Sequence, residues 1–72
     1  MYIKKLIESI DQCRSTMNSR VYRTMLAKSY VLFYSMHYQN KSEIQYRVNL
    51  RLLERGLSHI SYTFVVDTLK DK

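Results

Sequence analysis

The sequence has no proline and no tryptophan, a single glycine (Gly56) and a single cysteine (Cys13). One cysteine cannot build a disulfide framework, and together with two histidines it cannot supply a four-ligand zinc site. No apolar run approaches the ~18 residues of a membrane span. Residues 1–20 lack the unbroken apolar stretch of a signal peptide. A cytoplasmic protein with no membrane role is therefore expected. Acidic residues are also scarce: 6 Asp and Glu stand against 12 Lys and Arg, a formal charge of +6. The apolar share, 46% of 72 residues, is too high and too regularly placed for a disordered polycation. That leaves one small basic domain over residues 1–72, with 67–72 as a polar tail.

Catalytic motifs are missing as well. The chain has no glycine-rich phosphate loop, no H-E-x-x-H, no G-x-S-x-G and no paired-cysteine motif. Cys13 with His37 could be forced into a nucleophile–base pair, but nothing in the sequence orients the imidazole. A buried, inert thiol is the expected state of Cys13. His59, Ser61 and Asp67 offer no stronger case. The expectation is a non-enzymatic protein with no cofactor, no metal and no small-molecule substrate.

So short a chain buries only a modest core and usually needs a disulfide, a metal or a second chain. With the first two excluded, a homodimer is expected. Its bulk is aromatic and soft: seven Tyr, two Phe and four Met.

The spacing of Ile3, Leu6, Ile7, Ile10 and Met17 predicts a helix over about 3–14, with Lys4, Lys5, Glu8, Asp11 and Gln12 turned away. A second helix is predicted over about 20–38, with Ser19 as N-cap. Its inward arc would be Val21, Tyr22, Met25, Leu26, Leu32, Phe33 and Met36. Residues 30–38 (YVLFYSMHY) also suit a strand. From Glu43 to Leu52 polar and apolar residues alternate, and Ile60, Tyr62, Phe64 and Val66 alternate again. A period of two predicts an antiparallel β-hairpin, strands 43–53 and 57–67, closed by Glu54-Arg55-Gly56. In that register Leu50 faces Ile60, Val48 faces Tyr62, Tyr46 faces Phe64 and Ile44 faces Val66, all apolar pairs. The fold expected is α+β, two helices followed by the hairpin; the alternative is one helical region with a three-stranded meander. A competing reading makes 42–56 a helix, with Ser42 and Gln45 as a capping box and Gly56 as its C-terminal glycine. It fails on the wheel, where the apolar residues scatter.

The positive charge is the feature with functional content. No acid occurs between Gln12 and Ser42, a stretch that holds Arg14, Arg20, Arg23, Lys28 and Lys41. On the hairpin, Arg47, Arg51 and Arg55 would share the outward side with Asn49, His59, Ser61 and Thr63. Arginine forks beside such donors suit phosphate oxygens and base edges, and also an acidic protein surface. The candidate contacts are therefore Arg47, Arg51, Arg55, Arg20, Arg23 and Lys28. Tyr30, Tyr34 and Tyr38 recur every four residues and form either a self-association or partner surface, or the second buried face of a central helix.

The layout Tyr22-Arg23…Ala27…Asn40…Arg51 resembles, over about half the chain, the short enterobacterial regulators that restrain AraC-type activators. Those proteins are predominantly helical, which the expected hairpin contradicts, and no residue role is carried over. The Lys-, Asn-, Ser- and Tyr-rich composition without proline has the look of a phage- or plasmid-borne accessory protein. The function expected is a regulator or inhibitor that binds either an acidic protein surface or nucleic-acid phosphates. The alternative is a transcriptional or translational regulator reading DNA or RNA with the hairpin.

Overall fold

Residues 2–70 are described in this computed structural model, and all their regular structure is helical. The helices are α1 (Tyr2–Gln12), α2 (Ser19–Ser35), α3 (Lys41–Glu54) and α4 (Tyr62–Lys70), with a 3-10 turn over Arg14–Thr16 between the first two. The expected α+β fold is overturned, and with it both the β-hairpin and the meander: no strand occurs among the described residues.

The physical reason lies in the two-sidedness of α3. In a helix, two residues two apart stand about 200° from each other, nearly on opposite sides. Ile44, Val48 and Leu52 are buried against the core, while Tyr46 and Leu50, set between them, face outward with Leu53. A helix with two opposed apolar rows writes the same alternation into the sequence as a half-buried strand. The scatter on the wheel is thus two faces, and the competing helical reading describes the segment.

Both ends of α3 are fastened as that reading implies, though by a different N-cap. Asn40 accepts hydrogen bonds from the backbone N–H groups of Ser42 (2.8 Å) and Glu43 (3.2 Å), so it, and not Ser42, caps the helix. At the other end Gly56 N–H reaches Leu53 O and Leu57 N–H reaches Leu52 O, the paired bonds of a Schellman motif. Gly56 carries the left-handed φ of +71° that this motif requires and that side-chain-bearing residues resist.

The second alternating segment is also helical. Val65 and Thr68 of α4 are buried, as is Ile60 just before it, whereas Tyr62 faces outward. Asp67–Lys70, expected in a polar tail, are the last turn of α4; residues 71 and 72 lie outside the described residues.

Of the doubtful stretch 30–38, residues 30–35 are helical and 36–37 form a turn, so α2 ends three residues before the expected limit and no strand occurs there. The N-cap of α2 is Asn18, one residue before the expected Ser19. Its inward face is only partly the expected one: Tyr22 and Leu26 lie on it, but Tyr30 and Tyr34 take the place of Val21, Met25 and Met36. Tyr22, Leu26, Tyr30 and Tyr34 point into the molecule, while Val21, Met25 and Met36 point out. The cause is position: α2 is the central helix, packed against α1, α3 and α4, with α3 and α4 also touching each other. Three neighbours cover most of its circumference, so the large tyrosines fill the core and the smaller arc is left to solvent.

Candidate functional site

α2 and α3 run antiparallel, and steps of four residues along each bring a tyrosine of one against an arginine of the other. The Arg47 guanidinium lies over the Tyr38 ring at 4.9 Å. Arg51 Nε donates to the Tyr34 hydroxyl at 2.9 Å. Arg55 Nη2 donates to the Tyr30 hydroxyl at 3.1 Å, with its guanidinium 5.4 Å from that ring. Tyr30 and Tyr34 are stacked at 6.0 Å, so the ladder is aromatic along one rail and cationic along the other.

Each of these arginines also has a carboxylate. Arg47 pairs with Glu43 (2.6 Å) and Arg51 with Glu54 (3.3 Å), both between well-exposed side chains where ion pairs contribute little to stability. The pair Arg55–Asp11 differs in kind. It joins α1 to the end of α3, is bidentate (Nε to Oδ1 2.9 Å, Nη2 to Oδ2 2.6 Å), and leaves its side chains only 19% and 33% exposed. Asp11 accepts a third hydrogen bond, from the Tyr22 hydroxyl at 2.6 Å. The bonds from Arg55 hold the Asp11 carboxyl below its usual range, against the opposing effect of burial. Burial, then the hydrogen bond to Asp11, pushes the Tyr22 phenol up. Arg55 is held further above its ordinary value by Asp11.

The three arginines expected on the outer side of a hairpin thus do share one face, but it is a helix face turned toward α2. Arg23 is engaged too: its Nε and Nη2 donate to the carbonyls of Ser58 (3.0 Å) and His59 (2.6 Å), clamping the segment between α3 and α4. Asn49 holds the same segment, accepting from Ile60 N–H (2.8 Å). Arg20 and Lys28 are exposed, and neither forms an ion pair among the described residues. Tyr30 and Tyr34 are buried and Tyr38 is half-buried, so the tyrosine row is interior.

Asp11 is the residue that sequence reasoning missed, having placed it on the outer side of α1. The available signal was its four-residue spacing from Ile7, which puts it at the edge of the buried face.

Cys13 is exposed, not buried, at the turn before α2. His37 lies beyond the far end of that helix, about 25 Å along its axis at 1.5 Å per residue, so the two cannot meet. His59 is exposed, and the Ser61 hydroxyl accepts from Phe64 N–H at the start of α4. Among the described residues no group of three His, Cys, Asp or Glu could hold a metal, and no helix is long and apolar enough to cross a membrane.

Compared with protein-family models, with characterised proteins and with solved structures, the chain matches none. No match supports the resemblance to the regulators of AraC-type activators. Four of the five positions that carry that likeness have plain structural duties. Tyr22 and Ala27 are core, Arg23 clamps a loop and Asn40 caps α3. Arg51 belongs to the ladder.

The fold also leaves apolar side chains exposed. Val21, Met25 and Met36 are exposed on α2, with Leu32 half-buried between them, and Lys28 interrupts the row. Leu6, Ile10, Cys13, Met17 and Met25 line a shallow groove of about 390 Å³ between α1 and α2 that continues it. Tyr46, Leu50 and Leu53 form the second exposed row, on α3.

Proposed function

We propose that this is a non-enzymatic regulatory or inhibitory protein that acts by docking on an acidic protein surface. The observation that carries the reading is the engagement of Arg47, Arg51 and Arg55 with tyrosines and carboxylates of the same chain, Arg55 most completely. A phosphate-binding track needs cations free to reach the backbone of a nucleic acid, and the two-stranded ribbon expected to read bases is absent from the fold. The exposed cations of α2, Arg20 and Lys28, belong to a helix that also exposes Val21 and Met25, with Met36 at its end. Apolar side chains with interspersed cations are suited to a protein partner. The reading does not need the homodimer expected from the chain's size, since thirteen buried apolar side chains close a core within one chain.

A pull-down run in parallel with and without nuclease tests it. A protein retained after nuclease treatment is the expected result. Retention of nucleic acid alone, with affinity falling by roughly 0.9 log unit per log unit of salt for each duplex phosphate neutralised, would refute it.

A further inference from the structure

We infer that the outer face of α2 seats a single amphipathic helix of the partner protein, apolar along its contact row and acidic at the point opposite Lys28. The inference rests on the protein-binding reading above and specifies its surface. Val21, Met25, Lys28, Leu32 and Met36 follow one another by steps of four, three, four and four. That is the spacing by which one helix presents a row to another. Val21 is 48%, Met25 41% and Met36 52% exposed, large values for side chains of this kind on an otherwise well-packed helix. The row is about 22 Å long at 1.5 Å per residue, the length of some four helical turns. The groove that Leu6 and Met17 form beside Met25 widens it at one end.

Charge selects the occupant. α2 contains no acidic residue, and Lys28 stands at the middle of the row. In a two-fold pairing of α2 with a second copy, the residues at the centre of the row meet themselves, so Lys28 would face Lys28 with no acid on either α2 to meet it. A partner helix with Asp or Glu at that point meets the same lysine with its opposite charge and lets the apolar residues on either side close together.

The direct test uses labelled synthetic helices about three heptads long, with leucine along the seam and either Glu or Lys at its centre, titrated with the full chain near physiological salt. The wild-type protein should bind the Glu peptide at least about tenfold more tightly than its Lys twin. K28E should invert that preference. M25E and V21E should each weaken the Glu peptide about tenfold or more, with helix content and melting temperature unchanged. Failure of the wild type to bind, equal binding of both peptides, or indifference to M25E would overturn the inference. So would a wild-type dimer that M25E dissolves, which assigns the row to a second copy. Binding to anionic vesicles with no peptide binding would assign it to a lipid surface. If a nuclease-resistant protein is retained equally by wild type and M25E, the seam is wrong while the protein-binding reading stands. If only nucleic acid is retained, both fall.

Discussion

Asp11 holds together three parts of the chain that are distant in sequence. Its carboxylate receives Arg55 from beyond α3 and Tyr22 from α2, and no other acid among the described residues accepts as many hydrogen bonds. Because its folded pKa lies below the ordinary 3.8, it stabilises the fold above that pH, and the stabilisation is lost as pH falls through the depressed value. Tyr22 has the opposite sign. Its pKa is raised above 10.0, so its contribution is present below that pH and disappears as pH rises through the raised value. Thermal melts as a function of pH should therefore decline on both sides. The variant D11N should start lower and show a weakened acid limb. An acid limb identical to wild type would remove Asp11 from this role.

At the scale of the element, α3 explains both what was legible in the sequence and what was misread. The periodicity of α1 was plain because only one of its faces is apolar. α3 has two, and their opposition imitates a strand so closely that a consistent pairing register could be written for it. The terminal signals were the better guide: an Asx or Ser N-cap and the only glycine, fourteen to sixteen residues later, bound a helix of four turns. α2 was legible as a helix, with Tyr22 and Leu26 on its inner face, but Tyr30 and Tyr34 look amphipathic in sequence and are buried with Arg55 and Arg51 at their hydroxyls. The arginines of the candidate site were found by residue type and shared face; their pairing with α2 depends on packing that sequence spacing cannot supply. G56A tests the Schellman end directly. With φ at +71°, alanine should cost about 1 kcal/mol, read as a lower denaturation midpoint at unchanged slope. No change would mean that the left-handed turn is not required.

For the whole molecule, the balance of charge is the decisive quantity. Twelve cations and six acids suggest a surface seeking phosphate, yet three of those acids are already paired with the arginines that seemed best suited to it. Arg23 and Arg55 tie elements of a small core together, while Arg20 and Lys28 remain exposed. In the central account Arg55 belongs to the fold and the partner is met elsewhere, on α2. A double-mutant cycle of D11N and R55Q by equilibrium denaturation is the most direct measurement of that claim. Each single variant should lose about 2 kcal/mol, and the double variant little more than either, a coupling of about 2 kcal/mol between residues 44 positions apart. Additive losses, or an R55Q protein as stable as wild type but unable to bind its partner, would contradict the account.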